Sequence, residues 1–383
     1  MKLETLLANI AQHSGFSDPK GATHIPVYNT ATFDLKRQSG NEKIYDYTRT
    51  DNPTRNALET IFAKAENGAG CICTNTGMAA LALLFETVLK TDDSVLVEKD
   101  CYGGTYRLLN VLLERNRIQT NYADFTDLDQ LESVLKKRKI KLVLCESPTN
   151  PGLKIIDLKG VSDLCKTYGV LFAVDNSMAT FASQQPLELG ADFSVFSTTK
   201  FISGHGSVVA GAIVSKNLIW AEKVAYLANA EGRTQSPNDA FLVSLGLPTL
   251  TYRMKAQEAS AIKLAHALEK HPDFLEVKFP GLPSHPQHEL VKKQMKIVPS
   301  VLTVQLVSVE KAEKLIRDST LFGEKVSFGC ADSRLEIPSK MSHATYSEES
   351  LKAIGLTKAT VRIAVGLEDT NDLIADIIGA LKN

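Results

Sequence analysis

The sequence predicts an α/β protein: a mostly parallel, seven-stranded sheet with helices on both faces, plus a smaller α+β C-terminal domain. Three observations predict it. Seven short strand-like runs fall at 70–74, 94–98, 118–122, 141–146, 169–175, 192–197 and 208–214, and helix-period runs at 78–89, 106–114, 127–137 and 158–168 lie between most of them. The strand-like runs are nearly continuous in apolar residues, the pattern of parallel strands buried on both faces. After about residue 245 the texture changes to a long helix-like stretch, 252–270, a Pro- and His-rich loop, 280–288, and shorter strand-like runs at 300–307, 325–328 and 360–366 before a last helix at 371–381.

Composition bounds the class. The 383 residues are 44% hydrophobic, enough for a large core in two domains. A net charge of −1 leaves no electrostatic footprint for nucleic acid or an anionic membrane. No apolar run approaches the roughly 20 residues that span a bilayer, and Glu4 and Asn9 interrupt any signal-peptide pattern. The expectation is a cytoplasmic protein acting on a small molecule. Cys71, Cys73, Cys101, Cys145, Cys165 and Cys330 are scattered, mostly in apolar runs, and read as reduced core thiols. Cys71-x-Cys73 has no second pair to complete a metal site, and His285 and His288 have no acidic or cysteine partner nearby, so no metal is expected.

Residues 1–48 hold one short helix-like run, 4–13, and then loop, so this arm is expected either to be disordered or to pack on something outside itself. The larger, ligand-binding domain would then occupy 49–245 and the smaller domain 246–383. Asn52 suits a helix cap and Pro53 the first turn behind it, with Leu58, Ile61 and Phe62 on one face. In the alternating region, ligands bind at the carboxyl ends of strands. Thr76-Gly77-Met78 follows the first strand and opens a helix, where a phosphate can sit; Cys73 spoils any G-x-G-x-x-G, which sets aside a dinucleotide-binding dehydrogenase. Tyr102-Gly103-Gly104 follows the second strand, and its aromatic is either a loop residue or a stacking platform for a flat cofactor. Glu146 to Pro151 follows the fourth, Asp175-Asn176-Ser177 the fifth, and Ser197-Thr198-Thr199-Lys200 the sixth. A lysine amine becomes a useful nucleophile when burial or a nearby cation lowers its pKa, with Schiff-base chemistry the usual outcome. Lys200 for a Schiff base and Asp175 for a pyridinium nitrogen are the pair that pyridoxal phosphate (PLP) requires. Arg362 lies in an apolar strand, and a buried arginine needs an anion: a structural carboxylate or a ligand's.

Tyr47-x-Arg49-x-x-Asn52-Pro53-Thr54, Tyr102-Gly103-Gly104, Glu146-Ser147-Pro148-Thr149-Asn150-Pro151, Val174-Asp175-Asn176, Ser197-x-Thr199-Lys200 and Val361-Arg362-x-x-x-Gly366 together resemble the Cys/Met-metabolism PLP enzymes, the cystathionine γ-synthase-like family of fold type I, from about residue 25 to 381. The resemblance implies that Lys200 carries the cofactor and later moves protons, that Asp175 keeps the pyridine nitrogen protonated, and that Tyr102 stacks on the ring. It implies a phosphate held by the Gly77 and Met78 backbone with Ser197 and Thr199, a ring hydroxyl bonded by Asn150, and a substrate α-carboxylate on Arg362 with Ser327 and Asn150. Tyr47 and Arg49 would reach the phosphate of the neighbouring subunit, the arm would pack there too, and the assembly would be a homotetramer built from two dimers that share active sites.

Within the family, Val326-Ser327-Phe328-Gly329, Pro338, Met341-Ser342-His343-Ala344 and Gly355-Leu356-Thr357 look most like plant-type cystathionine β-lyases. The γ-synthases and γ-lyases usually carry Glu where this chain has Val326, and methionine γ-lyases usually carry Cys where it has Gly104. Tyr102 to Arg107 also resembles the γ-synthases, and Ser207 stands where Gly-His-x-Asp is the common form. The expected activity is β-elimination on cystathionine, giving homocysteine, pyruvate and ammonia in methionine metabolism; γ-synthase, O-acetylhomoserine sulfhydrylase and γ-lyase are the alternatives. A PLP-binding protein without lyase activity and a PLP aminotransferase remain as readings from other classes.

Overall fold

The computed structural model describes every residue except 19, 39–42, 343, 345–348, 350, 352, 353 and 383; His343 of the subtype motif lies outside the described residues. The expected alternation forms one seven-stranded sheet from β1 (Gly70–Thr74), β2 (Ser94–Glu98), β3 (Gln119–Ala123), β4 (Leu142–Glu146), β5 (Leu171–Asp175), β6 (Phe193–Phe196) and β7 (Gly211–Ser215). Their order is β1-β7-β6-β5-β4-β2-β3, all parallel except β7, which runs antiparallel to both β1 and β6. β4 is buried along its whole length, which is why its apolar run does not alternate. Because β4 pairs with β5 so that Glu146 lies opposite Asp175, and β5 with β6 one residue further on, the segments that follow these strands emerge side by side.

Helices α1 (Leu3–Ala8), α2 (Ile10–Ser14), α3 (Pro53–Glu66), α4 (Gly77–Val88), α5 (Gly103–Asn116), α6 (Leu128–Lys137) and α7 (Leu158–Tyr168) accompany this sheet. The single helix expected over 4–13 is two, because Asn9 leaves helical geometry and its side chain accepts from the Gln12 amide to cap α2. Leu6, Leu7, Ile10 and Ala11 are buried in the main core beside Leu58 and Phe62 of α3. This stretch of the arm therefore packs on its own chain; a run so short hid its apolar face.

The second sheet has the order β10-β11-β12-β9-β8, with β8 (Phe274–Lys278), β9 (Val301–Leu306), β10 (Gly323–Glu324), β11 (Arg334–Glu336) and β12 (Thr360–Ala364). Residues 325–328, read as a strand, form an irregular segment in which Ser327 has φ +84°, a left-handed geometry that no strand accommodates. The two sheets meet through side chains on backbone: Thr303 Oγ1 donates to Pro151 O at 2.6 Å, Gln294 Nε2 to Ile156 O at 3.0 Å and His285 Nε2 to Leu153 O at 3.1 Å. His285 is thus a seam residue. No helix among the described residues is long and apolar enough to cross a membrane.

Beneath the first sheet, Glu66 is fully buried, with Oε1 accepting from Asn176 Nδ2 at 3.3 Å. Burial pushes its carboxyl up to about 8. The folded state then keeps a proton that the unfolded chain releases near 4.5, so this site's contribution to stability is full below that pH and is lost as pH rises to about 8, on the order of a few kcal/mol. Glu66→Gln is expected to raise the melting temperature at pH 8.5 and to flatten its fall between pH 5 and 8.5; a melting profile parallel to wild type across that range would show the site titrates normally.

Candidate active site

The strand ends converge on a cavity of about 550 Å³ that Gly77, Met78, Tyr102, Asn150, Asp175, Ser197, Thr199, Lys200, Ser327 and Arg362 all line. Tyr47 and Arg49 do not join them. They sit on an exposed turn, where the Arg49 guanidinium lies 5.1 Å from the Tyr47 ring centre and Arg49 Nε donates to Asn229 Oδ1 at 3.1 Å.

At the first strand end, Thr76 caps α4, its Oγ1 accepting from the Ala79 amide at 2.9 Å. The amides of Gly77 and Met78 are the ones a helix leaves unpaired in its first turn, and they border the cavity. A Cβ on Gly77 would lie 2.8 Å from Ser197 Cβ and 2.9 Å from its Cα, so only glycine lets the Ser197 segment approach the helix. Thr199 is engaged elsewhere: its Oγ1 donates to Ala210 O at 3.1 Å and accepts from Ala210 N at 2.8 Å. Its one hydroxyl proton would have to turn from Ala210 to reach an anion.

Lys200 is held from the second domain. Its Nζ donates to Ser327 Oγ at 2.6 Å and lies 5.1 Å from the Phe328 ring centre. Burial, and after it the charge of Arg362, lower its pKa to about 8. On the opposite wall, Asp175 Oδ1 accepts from Ser177 N at 3.0 Å and Ser177 Oγ at 2.5 Å, and that hydroxyl accepts from Ser197 N at 2.6 Å. Glu146, opposite Asp175 across the two strands, accepts from Tyr102 N at 2.6 Å. Burial raises the pKa of both carboxyls, and Asp175's charge raises Glu146 further, while Ser177 and Lys200 favour ionised Asp175. Glu146 is therefore the neutral member of the pair. A Cβ on Gly104 would collide with the Tyr102 ring, so glycine there makes room for that ring beside the cavity.

Arg362 is 3% exposed, and the anion it needs is a structural carboxylate: Glu336 Oε2 lies 2.9 Å from Nη2 across β11 and β12. Arg362 also donates to Asn150 Oδ1 at 3.0 Å and to Ser327 O at 2.9 Å. Ser342 Oγ donates to Glu336 Oε1 at 2.6 Å. Arg362 nevertheless reaches the cavity, so its remaining donors can serve a ligand carboxylate. Glu336 escapes sequence reasoning because nothing in its spacing announces the register that brings it to Arg362. Ser177 could have been found, since a serine two residues after an aspartate is a common Asx-turn partner.

The donor set fits pyridoxal phosphate. The helix amides beside Ser197 suit an anionic head, Asp175 suits a cationic ring nitrogen, the space kept by Gly104 admits an aromatic face, and Lys200 has a depressed pKa.

A model of the family "Cys/Met metabolism PLP-dependent enzyme" matches residues 4–382. The chain is 35% identical over 372 residues to a cystathionine beta-lyase of Lactococcus lactis subsp. cremoris, covering 97% of each chain. It is 35% identical over 385 residues to a cystathionine gamma-lyase of Bacillus subtilis, covering 100% of each. Its fold superposes with a TM-score of 0.95 on a crystal structure of cystathionine gamma synthase from Xanthomonas oryzae pv. oryzae in complex with cystathionine, at 35% identity, covering 100% of this chain and 98% of that one.

Proposed function

This chain belongs to the Cys/Met metabolism family of PLP-dependent enzymes, and on that premise we propose that it cleaves the Cβ–S bond of L-cystathionine, releasing homocysteine, pyruvate and ammonia in methionine metabolism. The observation that carries the choice is Val326. It is 53% exposed at the edge of the cavity, where the γ-synthases and γ-lyases usually carry a glutamate. The carboxylates that line the cavity, Glu146 and Asp175, lie at its strand-end floor and are already bonded. Among the described residues, the outer wall therefore offers no anion to a distal ammonium.

When bound, pyridoxal phosphate supplies a reactive aldehyde and an electron-withdrawing ring. The chain's own residues do the rest. Gly77, Met78 and Ser197 would hold the phosphate, Asp175 would favour a protonated ring nitrogen, and Tyr102 would offer its face to the ring. Arg362 binds the α-carboxylate, with Glu336, Asn150 and the Ser327 carbonyl fixing its fork. The neutral Lys200 amine would take the Cα proton at Nζ; its low pKa keeps a large neutral fraction near pH 8. Ser327 Oγ steers that nitrogen. Tyr47 and Arg49 would complete the phosphate site of a neighbouring copy, in a homotetramer built as a dimer of dimers.

Arg362→Lys keeps a charge for Glu336 but loses the fork. It is expected to raise KM for the amino-acid substrate by about 10- to 100-fold, with a smaller fall in kcat and a melting temperature near wild type. An unchanged KM would move the carboxylate site elsewhere.

Arg107, exposed and on the same cavity wall, can take the distal carboxylate of cystathionine or equally that of a succinylated homoserine ester, so γ-replacement is the second reading. Product analysis separates the two. Pyruvate with homocysteine from L-cystathionine supports β-elimination; α-ketobutyrate with cysteine makes the protein a γ-lyase; cystathionine or homocysteine formed only from an activated homoserine ester makes it a synthase or sulfhydrylase.

A further inference from the structure

Arg55 is 1% exposed and spends its guanidinium on backbone. Nη1 donates to Thr48 O at 2.8 Å and Gln235 O at 3.1 Å; Nη2 donates to Arg49 O at 3.4 Å and Thr50 O at 3.2 Å. Its Nε lies 3.5 Å from Glu59 Oε1, and Glu59 in turn accepts from the Cys73 amide at 3.0 Å on β1. Gln235 N donates to Cys73 O at 3.0 Å, so both of Arg55's anchors lead to the same strand residue.

Burying a guanidinium costs several kcal/mol before its partners offset it. Three consecutive carbonyls on one fork fix the backbone of residues 48–50 relative to the sheet, a demand that an ordinary exposed turn does not make. What the turn presents is Tyr47, 42% exposed, with the Arg49 guanidinium stacked on it, and neither lines the chain's own cavity. A stiff mount beneath an outward-pointing aromatic–cation pair is of use only to something outside the chain.

We propose that Arg55 is the positioning residue for the active site of a second copy of this chain: it touches neither cofactor nor substrate, and it aims Tyr47 and Arg49 at the partner's phosphate pocket. This rests on the reading above in which sites are shared between subunits.

Subunit mixing tests it. Arg55→Lys keeps the charge beside Glu59 and loses the fork. Its homo-oligomer is expected to lose at least about tenfold in cofactor affinity and in activity, with a near-wild-type circular dichroism spectrum and melting temperature. Co-expression with Lys200→Ala subunits, followed by purification of the doubly tagged hybrid, pairs the intact Lys200 of the Arg55→Lys subunit with an intact turn from its partner. That hybrid is expected to recover about half the wild-type activity per dimer, one sound site of two. Should Arg55→Lys fold poorly, the double variant Arg55→Gln/Glu59→Gln removes both buried charges together and carries the same expectation. An Arg49→Ala/Lys200→Ala hybrid is the control. If it is active while the Arg55 hybrids stay dead, Arg55 acts within its own chain and the proposal falls alone. If the control is dead too, the sites are not shared and both ideas fall. An Arg55→Lys homo-oligomer with wild-type activity and cofactor affinity also overturns the proposal.

Discussion

Lys200→Ala is expected to lower turnover of the amino-acid substrate by about four orders of magnitude or more and to melt within a few degrees of wild type. The two halves of that result have separate causes. The side chain's hydrogen bond is the one from Nζ to Ser327 Oγ, so its removal opens no network in the core. Burial, and after it the charge of Arg362, disfavour the ammonium, so its removal takes a desolvated charge out of the site. Chemistry, by contrast, would lose both the anchor for the cofactor and the group that moves the Cα proton in the proposed mechanism. Steady-state product release with a thermal melt measures both, and a variant retaining a hundredth of wild-type turnover would dethrone the lysine. The same environment sets a pH signature. Apo wild-type protein is expected to take up the cofactor at a rate that rises with the neutral amine and levels off near pH 8, where an ordinary lysine would still be climbing.

Asp175→Asn is the second large effect, about 10²- to 10³-fold in kcat, with KM changed much less. Asparagine keeps an oxygen for the two donors of Ser177 and so preserves the local fold, but it carries no charge to hold a ring nitrogen protonated. Glu146 makes the outcome specific. With its charged neighbour gone, one of the three causes of its raised pKa disappears, and it becomes the nearer substitute. The double variant Asp175→Asn/Glu146→Gln is therefore expected to be slower than Asp175→Asn alone, whereas Glu146→Gln alone should cost little. Kinetics of the four proteins form a double-mutant cycle, and strict additivity would mean the two carboxyls do not communicate.

Much of this site was legible because it is assembled from strand ends. Gly77, Tyr102, Asn150, Asp175 and Lys200 each follow an apolar run, and once those runs are strands of one parallel sheet their ends must meet. The relations between strands were not legible. The pairing of Glu146 with Asp175 and of Glu336 with Arg362 depends on register, which no local pattern encodes. Residues 325–328 misled because Val326 and Phe328 alternate like a strand while Ser327 turns the chain left-handed around Lys200. The helices Leu218–Glu231 and Val309–Asp318 went unread for a different reason: the first exposes Leu218, Ile219 and Tyr226 where a monomer's helix would be polar, and the second buries only Ala312 and Leu315.

The hydrogen bond between Lys200 and Ser327 has a dynamic consequence. It crosses from one domain to the other, as does the bond from Arg362 to Asn150. Swinging the second domain away from the sheet must break both, and these are the same side chains to which the proposed mechanism assigns cofactor and substrate. Ligands held there are bound by a form of the protein that the opened form cannot imitate, so each one shifts the opening equilibrium by its own binding free energy. Amide hydrogen exchange along Ser147–Ile156 and β12, which face each other across the seam, should slow together when cofactor binds and again when a substrate analogue follows, while exchange in β3 at the far edge of the first sheet stays as it was.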